Sequence, residues 1–446
     1  MSINFTFLDE LPNDWKTARV KNILDYNHHY PIGDGDHGSI KPEMYQDEGI
    51  PYLRVQNLSW GFDINYDNLV YISDEVNQAN SKSILMPDDI LIAKTGTVGK
   101  MAIIPESMKQ ANTTSSVGKI TINQKIFNNR YFAYLFSSPM FQEQIKEKAY
   151  QKSAQPGFNI DDLIEFNIII PPRDIQNKIA NHLDKETTKI DLTIAKNEEL
   201  IKLLSEKRVA LINQVVTKGL NPNVPMKDSG VKWIGEIPEH YSIIKLKFLT
   251  SKIGSGKTPK GGSEIYVSEG IPLLRSQNIH FDSIRLDDVV YITEEINQTM
   301  LSTVVKNKDI LFNITGASIG RCNYIEDINI ANVNQHVCII RPNKKIFYKY
   351  LNYFLQSDCG QNQVFLNQNG TSREGLNFED LSNFYIILPK DIKEQKTVVS
   401  YLEKEIIKIY TTINKVKENI RLLEEYKTSL IHHVVTGKID VRGEEI

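Results

Sequence analysis

Only three cysteines, Cys322, Cys338 and Cys359, occur in the 446 residues, and they form no CxxC pair and no metal-ligand spacing. That excludes an encoded disulfide framework or zinc site and leaves small buried thiols in a reducing compartment. No run approaches the roughly 18 unbroken apolar residues of a membrane span, and the first ten residues lack the basic segment of a signal peptide. A cytoplasmic chain without a membrane partner is expected. Charge of one sign is missing too, since 52 Lys plus Arg face 55 Asp plus Glu, a formal net charge of -3. A generic polycation that coats nucleic acid is thereby excluded, and any nucleic-acid binding must be local or shared with a partner. What remains is a globular composition, 41% hydrophobic and 24% charged, long enough for two or three cored domains.

The most informative feature present is a tandem repeat at an offset of about 219 residues, running nearly end to end. Leu11-Pro12-Asn13-Asp14-Trp15 recurs as Ile237-Pro238-Glu239-His240-Tyr241, and Gly49-Ile50-Pro51-Tyr52-Leu53-Arg54 as Gly270-Ile271-Pro272-Leu273-Leu274-Arg275. Asp89-Ile90-Leu91 with Thr95-Gly96 returns as Asp309-Ile310-Leu311 with Thr315-Gly316, and the apolar run 166–171 as 384–389. Each repeat changes texture at the proline closing that run. Before it, β-rich stretches (51–58, 69–72, 89–93, 117–122 and 166–170 in the first copy) alternate with Gly, Asn, Asp and Pro clusters, and residues 129–150 read as helical. After it, residues 175–217 contain no Gly or Pro and the apolar period becomes helical.

Spacings of four and three place Leu183, Thr187, Ile190, Ile194, Asn197, Ile201, Leu204, Arg208, Leu211 and Val215 on one stripe. The same register 219 residues on gives Leu402, Ile406, Ile409, Ile413, Val416, Ile420, Leu423, Lys427, Leu430 and Val434, with Lys427 matching Arg208. Two such stripes predict an antiparallel coiled coil, whose helices of about 40 residues each extend about 60 Å. The expected fold class is α+β: two similar α/β globules separated by this helix pair and related by a pseudo-twofold axis. The boundaries are a first globule at 1–172, helix at 173–217, linker at 218–236, second globule at 237–389, helix at 390–437 and tail at 438–446. By the same symmetry Met1 should lie near the end of the second helix.

Enzymatic motifs fail on inspection. Gly254-Ser255-Gly256-Lys257-Thr258 ends like a phosphate loop, but Ser251 stands where Gly is needed and Pro259 where a helix should continue. Pro87-Asp88-Asp89 with Lys94 lacks the acid two before the lysine of a PD…(D/E)xK nuclease, and the second copy has Ile314 at the lysine position. The Asn/Asp-Pro-Pro-aromatic turn of aminomethylating enzymes is absent around Pro171-Pro172. His28, His29, Asp34, Asp36 and His37 crowd one loop, yet the cognate stretch 252–258 holds no metal ligands, and His432 and His433 replace Asn213 and Gln214 on a helix face. The turns 96–100 and 316–321 each end in a cation after a strand and could offer backbone N–H groups to a phosphate, or be plain glycine hairpins.

A binding logic survives. Ala111-Asn112 leads into Thr113-Thr114-Ser115-Ser116, whereas Ala331-Asn332 leads into Val333-Asn334-Gln335-His336, and Gln155-Pro156-Gly157 stands where Arg373-Glu374-Gly375 stands in the other copy. These polar types read base edges, so one scaffold with two sets of tips would recognise two different sequences. Loops that drifted after duplication are the plainer explanation.

The chain resembles the specificity subunit of type I restriction-modification systems over nearly its whole length. The resemblance is carried by the repeat, the Gly-x-Thr-Pro opening at Gly256-Lys257-Thr258-Pro259, the Gly-Ile-Pro-x-Leu-Arg segments, the Thr-Gly turns, and the apolar run, proline and Gln that open each helix (Pro171, Pro172, Gln176; Pro389, Glu394, Gln395). The first copy departs from the opening, with Gly33-Asp34-Gly35-Asp36-His37-Gly38 in its place. The resemblance implies that each globule is a target recognition domain for double-stranded DNA and that the helices dock two methyltransferase subunits, one per repeat. Restriction/translocase subunits would join through the complex, and S-adenosylmethionine, ATP and Mg2+ would act in those partners. This chain would then be non-catalytic, with no cofactor or metal of its own.

Candidate DNA-contacting side chains are Arg54, Gln56, Asn57, Lys94, Thr95, Thr97, Lys100, Thr113, Thr114, Ser115 and Gln155 in the first copy. In the second they are Lys257, Thr258, Arg275, Gln277, Asn278, Thr315, Ser318, Arg321, Asn334, Gln335, His336, Ser372 and Arg373. Residues 1–172 carry 15 basic and 21 acidic side chains and residues 221–390 carry 18 and 17, so neither globule has the basic surplus of an autonomous DNA binder. The competing reading is a scaffold that spaces two protein-binding domains without touching DNA.

Overall fold

The computed structural model describes residues 11–28, 30–149, 157–231, 233–259, 261–327, 330–367 and 375–443. The chain divides into two compact units, residues 1–196 with 418–446 and residues 197–417. Each unit therefore combines one globule with part of both long helices.

In the first unit an antiparallel sheet runs Ile32–Asp34, Val117–Ile120, Ile90–Ala93, Met101–Ile103. A smaller sheet sets Ile50–Leu53 between Val70–Ile72 (antiparallel) and Asn112–Thr113 (parallel). Its third sheet pairs Lys16–Arg19 with Asn167–Ile170. The second unit repeats all three. Thr250–Ser255, Val337–Pro342, Ile310–Asn313 and Cys322–Tyr324 form the four-stranded sheet, Val290–Ile292, Ile271–Leu274 and Asn332–Val333 the three-stranded one, and Tyr241–Lys245 pairs with Tyr385–Pro389.

The central strand of each large sheet is an unbroken apolar run because both its faces are covered. Ile90 and Ile92 face the aromatic core built from Phe127, Phe132, Phe136 and Phe141, while Leu91 and Ala93 face a second core with Leu53, Leu85 and Val117. Ile310 and Phe312 divide from Leu311 in the same way. The aspartate opening each strand is buried and ion-paired across the sheet. Asp89 lies 3.1 Å from Lys119, and Asp309 accepts two 2.7 Å bonds from Arg341. Lys119 and Asp89 are both almost fully buried, so Asp89→Ala strands an ammonium group. The expected cost is about 3–5 kcal/mol, read by urea unfolding of the full chain; a loss under about 1 kcal/mol would mean that water reaches Lys119.

Several elements differ from the sequence expectation. The strand expected over 51–58 ends at Leu53, because Asn57 accepts a 3.0 Å bond from the Arg54 amide and turns 55–57 into a 3-10 helix. Residues 129–150 hold two helices, Asn129–Ser137 and Pro139–Ala149, since a residue before proline is held extended and Ser138 has ψ 149°. Between the repeats lies a hairpin, Met226–Asp228 with Glu236–Pro238, where a linker was expected. Burial pushes all three thiols above their ordinary value, Cys338 to about 12 and Cys359 to about 11.

Arg173–Lys218 is one uninterrupted helix of 46 residues and Ile392–Val435 one of 44. In the first unit they run antiparallel, as Lys178 donates to the Arg442 carbonyl (2.7 Å) and Lys427 to Asp191 (2.7 Å). Among the stripe positions Leu183, Ile190, Val215, Leu402, Ile406, Ile409, Ile413, Leu430 and Val434 are buried. Ile194, Ile201, Leu204, Leu211, Ile420 and Leu423 are half-buried. The glutamine after each proline is a fully buried clasp. Gln176 accepts from the Asn128 amide (2.8 Å) and donates to the Pro171 carbonyl (2.9 Å); Gln395 does the same with Phe347 and Pro389. Tyr131 adds a second tie, its hydroxyl 3.2 Å from the carbonyls of Ile169 and Val435, and Tyr350 repeats it at Val216 and Ile387. Met1 lies outside the described residues, but Leu11 and Trp15 pack in the core that holds Val434, Val435 and Val441.

Candidate nucleic-acid interface

Three loops converge on one edge of each unit. In the first, Gly35 N–H donates to Val117, Asp36 N–H to Thr113 (2.7 Å) and Ser115 N–H to Asp36 (2.8 Å), so the glycine loop lies along the 113–116 tip. Lys94 N–H donates to Ser116, and Thr95 bridges to Gly157, drawing in the Thr-Gly turn. The second unit uses the same bonds: Gly256 N–H to Val337, Lys257 N–H to Val333, Ile314 N–H to His336, and a bridge from Thr315 to Gly375.

The approach is so close that only glycine fits. A Cβ on Gly35 would sit 2.1 Å from the Thr113 carbonyl oxygen, and one on Gly256 would sit 1.8 Å from that of Val333. Gly35 is therefore the counterpart of Gly256, and the first copy keeps the opening motif's one indispensable residue. Asp36 then stands where Lys257 stands, a reversal of charge on one scaffold. Asp36 caps the amides of Gly38, Ser39 and Ile40 (2.9–3.0 Å), whereas Lys257 and Thr258 are exposed.

The tips differ in chemistry as well as sequence. In the second unit His336 Nδ1 lies 2.6 Å from the Thr315 hydroxyl, and Asn334 accepts from the His336 amide (3.1 Å). The imidazole is thus fixed on one side, leaving Nε2 beside the exposed Gln335 at 3.4 Å. In the first unit the equivalent space holds an ion cluster. Lys94, almost buried, pairs with Asp34 at 2.5 Å, and His37 lies 3.0 Å from the other carboxylate oxygen. Burial alone would raise the Asp34 pKa, but the bonds from Lys94 and His37 outweigh it and hold the carboxyl below its ordinary value. Beside this cluster a cavity of about 530 Å³ opens between Asp34, His37, Ser39, Asn80 and Lys82.

Four candidates are corrected. Asn57 and Asn278 are fully buried and cap their own turns, each donating its carboxamide N–H to a backbone carbonyl (Asn65 and Arg285, 3.0 Å). Thr113 is buried and donates to the Leu53 carbonyl (2.7 Å). Lys94 is taken up by Asp34. None of these four presents a free polar group to a ligand. Arg54 and Arg275 each donate to a neighbouring loop carbonyl, Asn68 (2.7 Å) and Asp288 (3.1 Å), so they brace loops. Gln56, Thr97, Gln277 and Gln335 are exposed, and Thr95, Lys100, Thr114, Ser115, Thr315, Ser318, Arg321, Asn334 and His336 are half-buried. Gln155, Ser372 and Arg373 lie outside the described residues. Asp34 and Asp36, candidate metal ligands by sequence, lie in the loop that Gly35 holds against the 113–116 tip. Among the described residues no cluster of three or more His, Cys, Asp or Glu side chains could hold a metal ion. None of the described helices is long and apolar enough to cross a membrane.

Comparison with known proteins agrees with this duplicated architecture. The family model described as type I restriction modification DNA specificity domain matches twice, over residues 12–202 and 238–422. The type I restriction enzyme MjaVIII specificity subunit of Methanocaldococcus jannaschii is 25% identical over 448 residues, covering 97% of this chain and 95% of its own. Among solved structures, a chain from a study of complex assembly and conformational transition of the type I R-M system aligns with TM-score 0.72 at 15% identity, over 96% of this chain and 99% of that one. The HsdS subunit from Thermoanaerobacter tengcongensis aligns with TM-score 0.53 at 15% identity, over 96% and 98%. With the family model matching most of its length in two copies, the chain belongs to the type I restriction-modification specificity subunits, the DNA sequence-recognition family and not the catalytic one.

Proposed function

We propose that each unit reads one half of an asymmetric, bipartite DNA target and that the two long helices serve as the ruler between the halves and as the docking surface for two methyltransferase subunits. One observation carries the first part. The units share their framework down to Gly35 and Gly256, yet the tips on that framework diverge, Thr114-Ser115-Ser116 against Asn334-Gln335-His336. The second part is supported by the helices' outward faces, where Leu192, Leu203, Ile407, Leu422 and Tyr426 are each more than half exposed or nearly so. Apolar side chains exposed along a helix are surface that a docking partner can cover.

Base readout then belongs to this chain. Methyl transfer from S-adenosylmethionine and ATP- and Mg2+-dependent cleavage belong to partner subunits in the cytoplasm. The pure scaffold reading finds no support in the tips, whose polar groups are arranged around one edge of each unit.

The ruler is tested by inserting one heptad into each helix, after Lys196 in the first and after Lys417 in the second. Seven residues add about 10 Å, roughly three base pairs of B-DNA. Methylation-motif mapping should return both half-sites unchanged with a spacer longer by about that amount. An unchanged spacer in a complex that still methylates would show that something other than the helices sets it.

A further inference from the structure

The loop that Gly35 holds against the 113–116 tip carries two carboxylates with different fates. Asp36 is spent on the amides of Gly38, Ser39 and Ile40. Asp34, at the end of the edge strand Ile32–Asp34, is held by side chains only: Lys94 Nζ lies 2.5 Å from Oδ2 and His37 Nε2 lies 3.0 Å from Oδ1. A carboxylate has about four acceptor positions, so roughly half of them stay open. The Asp34 side chain is 27% exposed and borders the cavity of about 530 Å³ on this edge.

Three differences build this arrangement in the first unit alone. With Gly35 equivalent to Gly256, Asp34 stands where Ser255 stands in the second unit, Lys94 where Ile314 stands and Gly118 where Cys338 stands. Gly118 pairs with Asp34 on one side and with Ile92 on the other, and a Cβ on it would sit 3.3 Å from the Lys94 stem. The missing side chain is the passage through which Lys94 reaches across the sheet. The second unit builds the same sheet with Ser, Ile and Cys at these places, so the fold does not require the ion pair. A nearly buried pair of this kind adds little stability over apolar side chains of similar volume.

What the pair supplies is chemical. Lys94 cancels the negative charge that would repel a duplex, and Asp34 keeps lone pairs with no proton to give. The outcome is a neutral group that only accepts. In the major groove cytosine alone presents a donor without an acceptor, its N4 amino group, because adenine adds N7, guanine shows O6 and N7, and thymine shows O4. We propose that Asp34 is a specificity-determining residue of the first unit, accepting from N4 of a cytosine in the half-site which that unit reads, with Lys94 the positioning residue behind it. The inference rests on the base-reading function proposed above. Lys82, exposed on the rim of the same cavity and paired with no carboxylate among the described residues, supplies a phosphate contact beside the base.

The test uses the full chain in complex with its methyltransferase subunit, with methylation mapping for the motif and fluorescence anisotropy for affinity. The first unit's segment is the one that stays unchanged when Asn334, Gln335 and His336 are replaced. In the unaltered complex that segment should contain a specified C·G pair, and exchanging the pair should cost roughly 5- to 150-fold in affinity. Asp34→Asn, whose carboxamide both donates and accepts, should lose this preference or move it to adenine, with the second segment unchanged. The double variant Asp34→Ser, Lys94→Ile installs the side chains that the second unit already folds around and should accept any base at that position. A first segment without a C·G pair, or one read with the same preference by both variants, would overturn the role of Asp34 while leaving base reading by the unit in place. A motif that the 334–336 replacement also leaves untouched would remove the base-reading proposal and this one with it.

Discussion

Replacing Asn334, Gln335 and His336 with Thr, Ser and Ser, the residues at 114–116, is expected to erase or rewrite the second half-site while the first stays as it was. Each lost bidentate base contact removes about 1–3 kcal/mol, roughly 5- to 150-fold in affinity for the cognate base. The substitution is mild for the fold, because the backbone bonds that build the tip (Ile314 N–H to His336, Asn334 N–H to Leu274, Val337 N–H to Asn334) do not depend on these side chains. Thr315 gives an internal control. Its hydroxyl fixes the His336 ring, so Thr315→Val should alter discrimination at one base position and Thr315→Ser should restore it. Identical methylated motifs before and after the triple replacement would show that the tip is not the reader.

The second large effect concerns affinity. Fifteen basic side chains against 21 acidic ones in residues 1–172, and 18 against 17 in residues 221–390, leave the globules at net −6 and +1, short of the basic surplus of an autonomous DNA binder. The structure reduces the supply further, since Lys94, Lys119 and Arg341 are committed to Asp34, Asp89 and Asp309. The isolated chain should therefore bind duplex weakly with a shallow salt dependence. The complex with methyltransferase should bind tightly and with a steeper one, because each added phosphate contact contributes about 0.9 to the slope of log affinity against log salt. Affinity of both across a salt series, by fluorescence anisotropy on one cognate duplex, decides this. A lone chain with the full affinity and slope of the complex would place the phosphate contacts here.

Much of the architecture was legible because it is periodic. The helices are written in a stripe of apolar residues at spacings of four and three, and the duplication turns every weak motif into a pair. What was not legible depended on contacts distant in sequence. Asn57 and Asn278 look like base readers in isolation, and only the turn that each folds over shows that its carboxamide is spent on backbone. Lys94 looks like a phosphate contact until Asp34, 60 residues away in sequence, is found beside it. Conversely, Gly35 hid behind the divergent 33–38 loop, and its identity with Gly256 emerged only from the carbonyl that each glycine meets. The short strands Lys16–Arg19 and Asn112–Thr113 carry too few residues for any alternation to show.

Bipartite recognition by two unlike units is tested most directly by expressing the chain with its methyltransferase partner in a host lacking other methylation and reading every modified base in the genome. The expected result is one asymmetric motif made of two different short specified segments around a spacer of fixed length and free sequence. A single continuous motif, or two identical half-sites in a palindrome, would contradict it.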